Sequence, residues 1–168
     1  MIISNIGGGT GNQLFMYAAG RRLAHKWNAE FKLDVTNYER DKHTPYTLNL
    51  FNVTETLATP EEISALKKCI EPRADLFMPE VLDYPDNVYL QGFWENEKYF
   101  ADIADILRRE FTLKNPLSAA AQRWKEKILS CECSVSMHFR HGDFIYLKED
   151  IFALVPPDYY HECISRLK

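Results

Sequence analysis

Ile2-Ile3-Ser4-Asn5-Ile6 is a short apolar segment, and Gly7-Gly8-Gly9-Thr10-Gly11-Asn12-Gln13 follows it directly as a glycine-rich loop. Beyond the loop, apolar residues recur at every fourth position and predict a helix from about Asn12 to Lys26. Glu30 to Asp34 is predicted to form a second strand. A strand, a loop, a helix and another strand in this order are typical of the entry to a parallel sheet, so the sequence predicts an α/β fold.

The middle of the chain continues the alternation of helices and strands. Thr59-Pro60-Glu61-Glu62 has the residues of a helix start, with Thr59 as the cap and Glu62 closing a capping box. The apolar residues expected to face inward from this helix are Ile63, Leu66 and Ile70. Val88 to Trp94 is predicted to be a strand that runs into a turn, and Glu95 to Phe111 a helix. Ser118 is predicted to cap a further helix.

The glycine loop resembles two nucleotide-binding motifs without completing either. A dinucleotide fingerprint would need a third glycine where Asn12 stands, although Asp34 lies at the distance of its acidic residue. A phosphate-binding P-loop would need Gly-Lys-Ser/Thr where Asn12-Gln13 stands. Two interpretations therefore stay open: the loop presents backbone N–H groups to an anion at a helix N-terminus, or its glycines only permit a tight turn. In the first, Asn12 adds a side-chain amide. The hypothesis that the protein is a nicotinamide- or flavin-dependent oxidoreductase would rest on this loop and Asp34 alone.

A further strand-like segment lies near the end of the chain, from Ser134 to Phe144. Its apolar and polar residues alternate, which predicts a strand with His138 and Arg140 on the same face. Gly142 breaks the strand, and Asp143 then falls in the turn. Groups at the carboxyl end of such a strand lie where α/β sheets usually bind ligands. The planar guanidinium of an arginine there is suited to two phosphate oxygens at once.

Length, composition and charge limit the classes of protein that need be considered. The 168 residues allow one domain, or one domain and part of another. A net charge of −4 does not favour a general nucleic-acid surface. We see neither a signal peptide nor a transmembrane segment, which predicts a cytoplasmic protein, either free or peripheral to the inner face of a membrane. The four cysteines lack the spacing of a metal site, so no metal is expected.

Two of these motifs, in this order, resemble those of the α-1,2-fucosyltransferases, glycosyltransferase family 11. His138-Phe139-Arg140-His141-Gly142-Asp143 is similar to the family's H-x-R-R-G-D, and Gly7 to Ala18 is similar to its G-G-x-G-N-Q-x-F-x-Y-A. Gly92 to Phe100 also resembles a G-[FY]-[FW]-Q-x-x-x-Y-F segment, with Glu95 at the usual glutamine position. The resemblance extends over nearly the whole chain, whereas the chain contains only somewhat more than half of the family pattern.

The resemblance implies a GT-B-like fold with a Rossmann-like N-terminal domain and an incomplete second nucleotide-binding domain. Residues 1–130 would form the acceptor-side domain, and residues 131–168 the first strand-loop-helix unit of the domain that binds the GDP-sugar. The implied reaction moves L-fucose from GDP-fucose to O2 of a galactose in a glycan, with inversion and without a metal or other cofactor. Because the second domain would be incomplete and could leave a sheet edge open, self-association is also expected.

The resemblance also implies a role for each motif residue. Arg140 would grip the β-phosphate as charge develops on it, with His138 beside the nucleotide and Asp143 orienting Arg140 or the loop. The residues implied to contact the diphosphate and sugar from the N-terminal domain are Gly9, Thr10, Gly11 and Asn12. His141 replaces the family's second arginine, so we expect weaker donor binding that depends on pH. The resemblance names no catalytic base, and Asp143 is a candidate for it.

Two further questions stay open at this stage. Phe93 and Trp94 either pack in the core, which we favour, or contribute aromatic faces to an acceptor groove. The protein as a whole is either a fucosyltransferase or a non-catalytic domain that binds carbohydrate or nucleotide. Saturable GDP binding without sugar transfer would indicate the second.

Overall fold

A computed structural model describes residues 1–40, 44–73, 76–139 and 155–167. The chain divides into two compact units, Met1–Pro116 and Leu117–Lys168. The predicted division into functional domains at residue 130 stays a prediction.

The described part of the first unit forms one four-stranded parallel sheet. Its strands are β1 (Ile2–Asn5), β2 (Phe31–Asp34), β3 (Lys67–Ile70) and β4 (Val88–Gln91). They lie in the order β2-β1-β4-β3, and every neighbouring pair is parallel. The predicted α/β class is confirmed, and the parallel sheet is consistent with a Rossmann-like fold. The GT-B architecture stays a prediction.

Helices of this unit are α1 (Thr10–Trp27), α2 (Asn37–Arg40), α3 (Pro60–Ala65) and α4 (Ala104–Glu110). The long helix α1 packs closely on the sheet at Gly20, where an added Cβ would lie 2.7 Å from Cε2 of Phe31 and 2.9 Å from Cβ of Ser4. The buried Ser4 hydroxyl donates a 2.7 Å hydrogen bond to the carbonyl of Met16 in the same helix. This contact holds the first half of α1 against β1.

The segment after Thr59 differs from its prediction. The capping box is confirmed, since Thr59 Oγ1 accepts from the N–H of Glu62 and the Glu62 carboxylate accepts from the N–H of Thr59. The helix nevertheless ends at Ala65, and the following residues form β3 at the edge of the sheet. Ile70 is 59% exposed and does not face inward as predicted. Pairing of β3 with β4 outweighs the helical spacing, because sheet hydrogen bonds are a tertiary contribution that the local pattern does not contain.

The predicted helix from Glu95 to Phe111 is only partly correct. Two 3-10 turns, Glu97–Tyr99 and Ala101–Ile103, come first, and α4 covers the remainder. The Asn96 side chain accepts a hydrogen bond from the N–H of Lys98, and Phe100 has φ −147, outside the helical region. Local side-chain bonding of this kind competes with a regular helix, which explains the broken start.

In the second unit, helices α5 (Ala119–Leu129) and α6 (Pro157–Arg166) are described. The predicted cap of α5 is confirmed, because Ser118 Oγ accepts from the N–H of Ala121. The predicted strand is wrong for residues 134–139, which pair with no strand in the described residues. A ladder needs a neighbouring strand, and here Phe139 packs instead against Tyr160 of α6, with ring centroids 4.2 Å apart.

No helix in the described ranges is both long enough and apolar enough to cross a bilayer. Strand β3 is hydrogen-bonded to β4 alone within the described residues, which leaves its outer edge unpaired. The predicted self-association, which is inferred from the incomplete second domain and not from this edge, stays a prediction.

Candidate functional site

A pocket of about 730 Å³ lies at the carboxyl ends of the four strands of the first unit. Strand β1 connects through α1 to β2 on one side, whereas β4 and β3 lie on its other side. The crevice beside such a reversal of strand order is where open α/β sheets bind ligands. The residues that line the pocket are Asn5, Gly7, Gly8, Asn12, Met16, Asn37, Arg40, Ile70, Glu71, Gln91, Gly92 and Phe93.

Hydrogen bonds from surrounding side chains hold the glycine loop in one conformation. Gly8 has φ +66, and its carbonyl accepts from Gln13 Nε2 at 2.8 Å and from the Tyr38 hydroxyl at 2.9 Å. The fully buried Gln13 amide also donates to the carbonyl of Pro45 and accepts from the N–H of Thr47. Gln13 therefore positions the loop. Sequence reasoning assigned it no role, although it lies within the motif that predicted the loop.

The first turn of α1 is left open to an anion. Its cap, Gly9, offers no side-chain hydrogen bond, and the first helical bond runs from the N–H of Gln13 to the carbonyl of Gly9. The backbone N–H groups that precede Gln13 in the helix thus carry the partial positive charge of a helix N-terminus, and no acidic side chain lies in this turn. Of the predicted loop residues only Asn12 lines the pocket, whereas Gly9, Thr10 and Gly11 are exposed outside its wall.

Arg40 adds a cation to the pocket wall that the sequence did not suggest. It ends α2, whose first residue, Asn37, donates to the carbonyl of Ile6 at 2.9 Å and to Asn5 Oδ1 at 3.2 Å. These bonds hold α2 beside the end of β1. Among the described residues Arg40 forms no ion pair, and its side chain is exposed. No motif includes Arg40, and only the fold brings it to the loop.

Asp34 is buried at the end of β2 and is already saturated by protein donors. Its Oδ1 accepts from the N–H and the hydroxyl of Thr36, and its Oδ2 accepts from the Tyr89 hydroxyl at 2.7 Å and from Asn5 Nδ2 at 3.1 Å. Burial raises the pKa of the Asp34 carboxyl, but these hydrogen bonds outweigh burial and leave that pKa below its usual value. A carboxylate that already accepts from four donors has no acceptor position left for a ribose hydroxyl. This argues against the dinucleotide-binding interpretation of the loop.

Glu71 follows β3 and lies on the pocket wall. Its Oε2 accepts from the N–H of Phe93 at 2.7 Å, and both its oxygens lie 3.1 Å from the N–H of Trp94. Gly92 makes this approach possible, because a Cβ there would lie 2.3 Å from Cβ of Glu71. Sequence reasoning missed Glu71, since no motif contains it.

The two neighbouring aromatic residues have different environments. Trp94 is fully buried and adopts φ 56, an unusual backbone conformation for a bulky residue. Phe93 is 43% exposed and lines the pocket. The prediction of core packing is therefore confirmed for Trp94 and wrong for Phe93. A backbone held in the left-handed region beside a pocket is a frequent feature of binding sites.

Of the residues predicted in the second unit, only His138 is described. It lies in an exposed segment, and its carbonyl accepts from the Tyr160 hydroxyl at 3.3 Å. Arg140, His141 and Asp143 lie outside the described residues, so their predicted roles stay predictions. Within the described ranges, no three His, Cys, Asp or Glu side chains come together as a metal site would require.

The first unit thus combines a parallel α/β sheet with a crevice that has an uncapped helix N-terminus beside it and a fixed carboxylate on its wall. Comparison with known proteins adds one relative. The chain is 29% identical, over an alignment of 192 residues, to an alpha-1,2-colitosyltransferase of Escherichia coli. The alignment includes the whole chain but only 64% of that protein. No family model matches the chain, and neither does any solved structure.

Proposed function

We propose that this protein is an inverting glycosyltransferase that moves L-fucose, or a closely related deoxy sugar, from its GDP derivative to O2 of a galactose in a glycan. The observation that carries the proposal is the pocket at the reversal of strand order, with the open end of α1 and Arg40 in its surroundings. Similarity along the whole chain to a colitosyltransferase supports the same class of reaction. The motifs shared with α-1,2-fucosyltransferases support the linkage and the donor.

The chemistry requires that negative charge be stabilised on a departing diphosphate. The oxygen of the acceptor hydroxyl attacks the anomeric carbon of the donor sugar, the bond from that carbon to the β-phosphate oxygen breaks, and GDP leaves with the electron pair. The proton of the acceptor hydroxyl passes to solvent. Backbone N–H groups of α1 and the Arg40 guanidinium are suited to the charge that develops, and one such donor contributes roughly 3 kcal/mol. Arg140 is the proposed clamp on the β-phosphate, with His138 and His141 near the nucleotide and Asp143 orienting Arg140. No metal is required in this scheme.

The nature of the donor sugar is the least constrained part of the proposal. Colitose is L-fucose without the hydroxyl group at C3, so the two candidate donors differ at a single position. We favour L-fucose because two motifs of this chain resemble the fucosyltransferases, whereas the relative is named for colitose. Transfer assays with GDP-fucose and GDP-colitose on the same galactoside would separate the two, since a pocket that binds a hydroxyl strongly rejects a sugar that lacks it.

Calorimetric titration of GDP into the chain and into Arg140→Ala tests the donor site. We expect saturable binding by the unmutated protein and a loss of about tenfold or more in the variant, as the removal of a charge-assisted contact predicts. Arg108→Ala is the matched control, because Arg108 is an exposed arginine whose ion pair among the described residues is with Asp105 of its own helix. Equal GDP affinity in the protein and in Arg140→Ala would contradict the role of Arg140.

The outcome also separates the proposal from its alternative. GDP binding together with transfer to a galactoside supports the enzyme. GDP binding without transfer, seen equally in the Arg108→Ala control, would indicate a non-catalytic domain that binds nucleotide. Absence of GDP binding would contradict the proposed donor.

A further inference from the structure

Glu71 is a carboxylate that the structure fixes on the wall of the pocket. The backbone N–H groups of Phe93 and Trp94 hold its oxygens, and the absence of a side chain at Gly92 lets it lie against the end of β4. Such a carboxylate cannot change its position freely. It is therefore organised in advance for whatever enters the pocket.

The Glu71 carboxylate retains hydrogen-bonding capacity that the described residues do not use. A carboxylate offers about four acceptor positions. At Glu71, Oε2 receives the N–H of Phe93, and the N–H of Trp94 is shared between the two oxygens. In the part of the chain that the structure describes, Oε1 thus has only a shared partner, and it can accept a hydrogen bond from a ligand hydroxyl.

The charges around the pocket assign its two ends to different ligands. Arg40 follows β2 and Glu71 follows β3, and these are the two outer strands of the sheet. Phosphate suits the end with Arg40 and the open turn of α1, whereas a carboxylate repels it. The end with Glu71 is suited to a neutral ligand with hydroxyl donors. Phe93 lies on the same wall and is 43% exposed, and an aromatic face of this kind packs against the C–H groups of a sugar ring.

We propose that Glu71 binds the acceptor galactose through its O2 hydroxyl, the group that becomes glycosylated, while Phe93 packs on the ring of the same sugar. This inference rests on the proposed function for the identity of the sugar. A hydroxyl that donates to a carboxylate is held in place and gains electron density on its oxygen. Glu71 would therefore orient the nucleophile on the opposite side of the donor sugar from the phosphate site, as inversion at the anomeric carbon requires.

The test is a binding cycle that requires no turnover. Methyl β-galactoside and its 2-deoxy analogue are titrated, with NMR detection, into the unmutated protein and into Glu71→Gln. We expect the unmutated protein to bind the galactoside about tenfold more tightly than the 2-deoxy analogue, as loss of a hydrogen bond to a charged group predicts. In Glu71→Gln the ratio of the two affinities should fall to about threefold, because a hydrogen bond to a neutral amide is roughly half as strong as one to a carboxylate. A general loss of structure would weaken the binding of both galactosides and leave the ratio of their affinities unchanged.

Phe93→Ala provides the second variant, and it remains informative if Glu71→Gln does not fold. We expect Phe93→Ala to weaken the binding of both galactosides by a similar factor and to leave the ratio of their affinities unchanged. An unchanged ratio in a folded Glu71→Gln would overturn the inference, and so would equal binding of the two galactosides by the unmutated protein. Phe93→Ala with unaltered affinity would overturn the packing of Phe93 on the sugar.

Titration of GDP and GDP-fucose into the same variants separates this inference from the proposed function. Unchanged GDP affinity in Glu71→Gln, together with an altered galactoside ratio, supports both. If GDP does not bind but the galactoside cycle behaves as expected, the donor assignment fails and the acceptor site stands. If Glu71→Gln removes the preference for GDP-fucose over GDP and leaves the galactosides unaffected, Glu71 contacts the donor sugar and the inference is wrong.

Discussion

Asp34 and Glu71 are carboxylates at the ends of the two outer strands of one sheet, yet their surroundings differ. Asp34 is only 4% exposed and accepts four hydrogen bonds from three neighbouring residues. Glu71 accepts two backbone N–H groups, is partly exposed and lines the pocket. The difference separates two functions of a fixed carboxylate. A saturated one stabilises the framework, whereas one with an unused acceptor position can bind a ligand.

Removal of the Asp34 carboxylate should produce the largest change in stability. Asp34→Ala leaves the buried Tyr89 hydroxyl without its acceptor, and leaves two donors of Thr36 and the Asn5 amide without theirs. We expect a loss of roughly 3 kcal/mol in the free energy of unfolding, since each unsatisfied buried group costs about 1–3 kcal/mol and some regain water. Urea denaturation at neutral pH measures it. Glu80→Gln, at an exposed position in the same unit, is the control and should change stability by less than about 0.5 kcal/mol.

The same carboxylate gives that stability a defined dependence on pH. Because the hydrogen bonds hold the folded-state pKa of Asp34 below its unfolded value, its contribution is present above the unfolded pKa. It is lost as the pH falls through the folded-state pKa. Asp34→Asn should therefore flatten the decline in stability on acidification. An unaltered acid decline would show that Asp34 does not act through its charge.

The local parts of the fold were predictable from sequence, whereas the pocket wall was not. The glycine loop, helix α1 and the Thr59 capping box depend on residues close together in the chain, and their patterns are specific. Strand β3 has the sequence Lys67-Lys68-Cys69-Ile70, with no alternation of polar and apolar residues, and it exists through pairing with β4. The spacing of residues close together in the chain therefore could not predict strand β3.

Arg40 and Glu71 were missed for a related reason. Each follows a different outer strand, and only the parallel order β2-β1-β4-β3 brings both to one crevice. Asn12 and its loop were predictable because those residues belong to a contiguous signature. Gln13 lay in the same signature, but its role depends on contacts with Pro45 and Thr47, which only the fold reveals.

Gly92→Ala tests whether the position of Glu71, and not only its charge, matters. The new Cβ would lie 2.3 Å from Cβ of Glu71, so the carboxylate must move away from the N–H groups of Phe93 and Trp94. We expect a loss of roughly 1–3 kcal/mol in stability, as for overpacking elsewhere. NMR titration should show weakened galactoside binding, while calorimetry should show unchanged GDP binding.

Gly20→Ala is the matched control for this substitution. A Cβ at Gly20 would also be too close to its neighbours, at 2.7 Å from Cε2 of Phe31, but it lies between α1 and the sheet and away from the pocket wall. Gly20→Ala should lower stability without a selective effect on the galactoside. If both glycine variants reduce galactoside affinity equally, the effect follows from stability and the placement of Glu71 is not the cause.

Arg40→Ala should give the smallest effect, and one confined to the donor. Arg40 is exposed and forms no ion pair within the described residues, so the free energy of unfolding should change by less than about 0.5 kcal/mol. GDP affinity should fall by about threefold to fivefold in low salt and by less in high salt, because an exposed charge is screened. Arg108→Ala should leave GDP affinity unchanged at both salt concentrations. Galactoside affinity should not respond to Arg40→Ala, just as GDP affinity should not respond to Glu71→Gln. An equal loss of GDP and galactoside affinity would show that the two ends of the pocket do not bind separate ligands.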